Sequence, residues 1–223
     1  MPRANAEIAR ELARLSSDCS FLLTHLVRQN DGRTDAAARQ ILRSILDLGG
    51  NPPDPTLSAS TVGWYSRATP NVFDPESGEF DGPVNSYAVC FTESTLAGLK
   101  AHRDIFRAQY GIAFDRDFVF RRGGNPCLNI RESLLKERLT VAGEHYLRAV
   151  YNFIPHQLQP FVNIIHESFD ATHEREWRYA GHFRFRYPHV LFVFCPQQDF
   201  PVFSAIQTHG RPVLFDLNWL DRV

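Results

Sequence analysis

The stretch His173-Glu174-Arg175-Glu176-Trp177-Arg178-Tyr179 places two acids, three bases and two aromatics within seven residues. It reads as the start of a strand that runs on toward Phe183-Arg184-Phe185. Side chains alternate along a strand, so Glu174, Glu176 and Arg178 share one face, and Arg175, Trp177 and Tyr179 share the other. Two chemistries are open to such a face. A carboxylate beside a sugar carbon can stabilise positive charge as a bond to that carbon breaks, and a second carboxylate can orient or deprotonate the incoming nucleophile. Alternatively Arg178 holds both acids ionised and occupied in a salt-bridge cluster.

Other polar groups carry weaker chemistry. His25 closes the apolar run Phe21-Leu22-Leu23-Thr24-His25-Leu26-Val27, and Thr24, Glu93 and Tyr110 also stand at strand ends. A lone histidine there is ordinarily half-buried with one backbone hydrogen bond, and gains interest only if other polar groups converge on it. His166, Asp170 and His173 fall on one helical face, a spacing that can hold a divalent metal but equally describes a solvated helix face. No metal is expected. Phosphate-loop, nucleophile-elbow and Gly-x-Gly-x-x-Gly patterns are all missing from the sequence, which weighs against P-loop, α/β-hydrolase and Rossmann chemistries.

The elements that must position these groups belong to an ordinary globular chain. It has 223 residues, 43% of them hydrophobic and 22% charged, enough for one sizeable core. A formal net charge of −1 gives no global attraction to nucleic acid or membrane, although Arg116, Arg121, Arg122 and Arg131 could form a local basic patch. No apolar run approaches a membrane span. Cys19, Cys90, Cys127 and Cys195 show no Cys-x-x-Cys pairing, and read as reduced small hydrophobes of a cytoplasmic protein.

The pattern predicts a helix over Ala4–Leu15, then the strand ending near His25. A second helix begins at Thr34 or Asp35, carries Ala38, Ile41, Leu42, Ile45 and Leu46 on one face, and stops at Gly49-Gly50. Residues 51–82, rich in Pro, Ser, Thr and Gly, read as a long surface segment whose Trp64 and Tyr65 either form a lid over a ligand or, the favoured reading, pin it to the core. A strand at Tyr87–Phe91 leads, through a cap at Thr92 or Ser94, into a helix over Leu96, Leu99 and Arg103. Strands at 110–114 and 127–130 flank a short helix near 116–121, and 132–168 reads as helical with breaks at Pro155 and Pro160. The final third reads as strands at 176–186, 189–195, 201–206 and 212–216. The expected fold class is α+β: an N-terminal helix over residues 1–20, then one domain over 21–223 with a mixed or antiparallel sheet and flanking helices.

Cys90-Phe91-Thr92-Glu93, Tyr110-Gly111-Ile112-Ala113-Phe114, Gly124-Asn125-Pro126 and Glu174-Arg175-Glu176-Trp177-Arg178-Tyr179 occur in the order and rough spacing of the AbiGi-type abortive-infection proteins. The resemblance spans roughly residues 21–180. It implies a bacterial anti-phage protein, with a toxin or a phage protein as partner, and in many such systems the antitoxin of a two-gene toxin–antitoxin pair. A second resemblance, to ADP-ribosyltransferases including the DarT-like enzymes, rests on the His25 strand, the helix ending at Gly49, and Glu174-x-Glu176. It implies an ADP-ribosyltransferase-like fold and NAD as cofactor. Glu176 would then be catalytic and Glu174 auxiliary. His25, with Thr24 beside it, would hold the NAD ribose, and Tyr87 or Tyr110 would flank the nicotinamide. The acceptor, protein or nucleic acid, is left open.

Overall fold

A computed structural model of the protein describes residues 20–29, 32–61, 72–73, 80–81, 87–140, 143, 147–155, 157–165, 175–208 and 212–222. The chain opens with β1 (Leu22–Val27) and α1 (Asp35–Ile45), then the short strands β2 (Thr56–Leu57), β3 (Ser60–Thr61), β4 (Val72–Phe73) and β5 (Phe80–Asp81). Next come β6 (Tyr87–Glu93), α2 (Leu96–Phe106), β7 (Tyr110–Asp115) and α3 (Arg116–Arg121). After β8 (Asn125–Pro126), a smaller lobe holds β9 (Leu128–Arg131), α4 (Glu132–Lys136), β10 (Arg138–Thr140), β11 (Leu147–Ala149) and β12 (Val162–Ile165). The chain closes with β13 (Glu176–Ala180), β14 (Phe183–Arg184), β15 (Val190–Phe194), α5 (Phe200–Phe203) and β16 (Val213–Phe215).

Seven strands run in the order β16-β15-β7-β1-β6-β13-β8, and β3 joins as an eighth on β6. The sheet is mostly antiparallel, with β15 and β16 as its parallel pair. Period-two alternation divides the side chains between two faces. Leu23, Val89, Phe91, Tyr110, Ile112, Phe114 and Trp177 belong to the main core, where Ala38 and Leu42 of α1 and Val119 of α3 cover them. Leu22, Ala113 and Phe194 point to the other face, against Leu99 of α2 and the C-terminal Leu217 and Leu220. A knot of rings fills the main core: Phe183 stands edge-on to Phe91 and Phe114 at 5.4 Å each, and Phe185 to Phe114 at 4.9 Å.

The helix starts follow their caps. Thr34 accepts from the Ala37 amide at 3.2 Å, and α1 buries Ala38 and Leu42 while Ile41 is exposed. The second helix is capped by Thr95 rather than by the expected Thr92 or Ser94, since Thr92 lies within β6 and Ser94 is buried in a 2.6 Å hydroxyl pair with Thr24. Its last turn ends at Arg107 with φ 52°, the left-handed C-cap conformation.

Three expectations are corrected. Residues 132–168 are not one broken helix: among the described residues there, only Glu132–Lys136 is α-helical, short 3-10 turns stand at Val150–Phe153 and Gln159–Phe161, and Val162–Ile165 pairs in parallel with Leu128–Arg131. The apolar spacing there serves a small separate core of Leu135, Val162 and Ile164, which a short strand fills as well as a helix turn. Residues 201–206 are not a strand; Pro201 at the first turn starts α5, and a 3-10 turn continues it. Segment 51–82 is not wholly superficial, since Leu57 is buried and β2 pairs with β14 while β3 pairs with β6. The expected helix at 4–15, Trp64 and Tyr65 lie outside the described residues, as do His166, Asp170 and His173.

Candidate functional site

Strand β1 pairs along its whole length with β7, from Leu22↔Asp115 to Val27↔Tyr110. Its other edge meets β6 only at Leu23↔Glu93 and Thr24↔Thr92. Farther along, that same edge of β6 is taken by β3, through Ser60↔Ala88 and Thr61↔Tyr87. The sheet therefore forks after Thr24, and His25 stands in the fork. Its Nδ1 lies 2.9 Å from the Cys90 carbonyl. A carbonyl only accepts, so Nδ1 carries the proton and donates, in place of the ladder bond lost where the strands splay. The ring packs edge-on to Phe91 at 6.3 Å.

Burial, and secondarily the charge of Arg28, outweighs the Cys90 hydrogen bond and lowers the His25 pKa. The sign of its effect on stability follows. The unfolded chain protonates this histidine near its ordinary value, about 6.5, while the folded protein resists until lower pH. The stabilisation is present above that value and is lost as pH falls through the folded pKa. Urea midpoints measured from pH 7.5 to 5 are expected to fall less steeply for His25→Gln than for the native protein. Parallel profiles would refute the assignment.

Glu176 opens β13, opposite Thr92, which is itself opposite Thr24. Thr24, Thr92 and Glu176 thus line one row on one face, while His25, Phe91 and Trp177 line the next row on the opposite face. The carboxylate of Glu176 is occupied. Arg178 donates from Nε to Oε1 at 2.9 Å and from Nη2 to Oε2 at 3.0 Å, a bidentate clamp. The same guanidinium donates from Nη1 to the carbonyls of Pro160 at 3.1 Å and Val162 at 2.8 Å, and from Nη2 to Asn163 Oδ1 at 3.4 Å. Arg178 is 2% exposed. Burial works against its charge, but the hydrogen bonds to Glu176 prevail and raise its pKa. Two thiols complete the surroundings. Burial, followed by the Glu176 carboxylate, pushes Cys90 up to about 12, and Cys127 is raised by burial as well. Both are protonated at neutral pH and are poor nucleophiles.

The remaining candidates are dispersed. Thr24 is buried, its hydroxyl paired with Ser94 and lying 3.3 Å from the Thr92 carbonyl. Tyr110 is 1% exposed and donates to Asp199 Oδ2 at 2.6 Å, while Arg39 donates to Oδ1 of the same carboxylate at 2.9 Å. Burial first, then the Asp199 hydrogen bond, raises the Tyr110 pKa. Tyr87, 55% exposed, stands at the far end of β6. Glu93 accepts from Trp177 Nε1 and from the Ser20 amide, each at 3.1 Å, with the guanidiniums of Arg116 and Arg175 at 3.7 Å. Glu174 lies outside the described residues.

The fold therefore gathers Glu176 and Arg178, puts Thr24 on their side of the sheet, and leaves His25, Tyr87 and Tyr110 on the opposite side. The sequence reading missed Asn163 and the carbonyls of Pro160 and Val162 as partners of Arg178; Pro160 was visible only as a helix break. No helix among the described residues is long and apolar enough to cross a membrane. Compared with known proteins, the chain matches no family model, no curated protein and no solved structure.

Proposed function

We propose that the protein is a non-catalytic binding component of bacterial anti-phage defence, the antitoxin-like member of a toxin–antitoxin pair. The motif order shared with abortive-infection proteins supports the setting. One observation carries the non-catalytic reading: both oxygens of Glu176 are held by Arg178. A half-buried carboxylate neutralised at 2.9 and 3.0 Å offers little field to a developing sugar cation, because the guanidinium cancels most of it. It also stands across the sheet from His25, so one small ligand cannot touch both from one side.

The other reading is an ADP-ribosyltransferase-like enzyme that moves ADP-ribose from NAD to a protein or nucleic acid. The fork at His25 favours it, since the strands splay beside an imidazole there. Purified protein incubated with NAD separates the two. No nicotinamide release is expected from either the native protein or Glu176→Gln, expression alone should leave growth unaffected, and co-expression should neutralise a toxic neighbouring gene. Nicotinamide release that Glu176→Gln abolishes, together with growth arrest by this gene alone, would establish the enzyme instead.

A further inference from the structure

The basic residues suggested by the sequence do not stay together. Arg116 is turned toward Glu93 and donates to the Ser20 carbonyl at 3.1 Å, and Arg131 lies on β9 in the smaller lobe. Arg122, next to Arg121 at the end of α3, instead meets a segment some sixty residues away. Arg122 Nη2 donates to the Arg184 carbonyl at 3.2 Å, and its guanidinium carbon lies 5.8 Å from the centre of the Phe183 ring and 6.0 Å from that of Phe118. His189 stacks on Phe118 at 4.3 Å, and its Nδ1 accepts the Arg186 amide at 3.2 Å. Arg121, Arg122, Arg184 and Arg186 are all exposed.

Acids do not neutralise this surface. Among the described residues no carboxylate pairs with Arg121, Arg122 or Arg186. Arg184 reaches Asp54 only at 3.8 Å, with the two side chains 73% and 66% exposed, a geometry worth little in water. Four guanidiniums concentrated on a chain of net charge −1 cost electrostatic repulsion that no close ion pair among the described residues offsets. Arg122 is also held in place by the rings beneath it, so less side-chain freedom is lost when it binds an anion. Arginine forks fit phosphate oxygens two at a time.

We infer that the surface formed by Arg121 and Arg122 of the α3 end with Arg184 and Arg186 of the β14 segment docks the phosphodiester backbone of a nucleic acid. A patch of guanidiniums positions a backbone but does not read base edges, so binding is expected to be independent of sequence. The inference does not rest on the antitoxin reading, and it holds whether or not Glu176 is catalytic.

The test measures anisotropy of labelled 20-mer duplex DNA and 20-mer single-stranded RNA of random sequence with the full chain. Binding in the range of about 1–100 µM near physiological salt is expected, weakening with salt at a log–log slope of roughly −3 to −4 for the duplex. Arg122→Gln/Arg186→Gln should lower affinity about tenfold or more and make the slope shallower by about 2. Arg131→Gln/Arg138→Gln, equally exposed but on the smaller lobe, should bind as the native protein does. Preference for DNA or for RNA identifies the polymer and leaves the surface assigned. Unchanged binding by the Arg122/Arg186 variant, with its melting temperature also unchanged, would overturn the proposal. So would capture by phosphatidylserine vesicles or polyglutamate without binding to either nucleic acid.

Discussion

Arg178→Met is expected to destabilise the protein by roughly 3–5 kcal/mol, the cost of stripping one partner from a buried ion pair. For a chain of this size that corresponds to a melting temperature lower by roughly 6–20 °C. The physical reason is the number of groups that depend on one guanidinium. Without it, the Glu176 carboxylate is left half-buried beside two protonated thiols, and the carbonyls of Pro160 and Val162 lose their donor. Arg178 also fastens the segment leading into β12 to the main sheet, so the smaller lobe should loosen first. Hydrogen exchange at Val162–Ile165 would show that loss separately from global unfolding. The double variant Arg178→Met/Glu176→Leu should recover part of the stability, because an apolar pair avoids the stranded charge. A melting temperature within 2 °C of the native value for Arg178→Met would show that the clamp contributes nothing. It would also reopen Glu176 as a free carboxylate.

Phe183→Ala is the second large effect, at about 3–5 kcal/mol. The ring is fully buried and meets Phe91, Phe114, Phe118 and Tyr179 edge-on at 5.0 to 6.0 Å. Removing it opens a cavity that these neighbours cannot close, since each is itself fixed by the others. The same ring lies under Arg122, so the loss reaches the surface. Phe183→Leu should keep more of the stability because it leaves less space unfilled. Urea titration of the three proteins gives the comparison directly, provided the m-values agree. A cost for Phe183→Ala below about 1 kcal/mol would mean that the ring cluster repacks freely.

How far the sequence could be read differs from element to element. The strand around His25, the helix that Thr34 caps and the strand at Tyr110 all carried local signals: alternation, a cap residue, a run of apolar side chains. Those signals act within a few residues, and the structure places these elements close to where the pattern puts them. The Glu176–Arg178 pairing was equally local, two residues apart on one strand face, and so it was visible as one of two alternatives. The smaller lobe failed because its apolar residues suit a turn of helix and a short strand alike. Only the pairing of Val162–Ile165 with Leu128–Arg131 decides between them.

The sequence alone determined which groups stood on one face of one strand, because strand geometry fixes that without reference to anything distant. It thus put Arg178 within reach of Glu176. What occupies the other donors of Arg178, and that His25 stands across the sheet from Glu176, depended on register between separate strands. The joining of Arg122 to the Arg184–Arg186 segment likewise needed two distant segments packed over one ring cluster. Register and packing arise from contacts summed over the whole chain, and no local pattern records them.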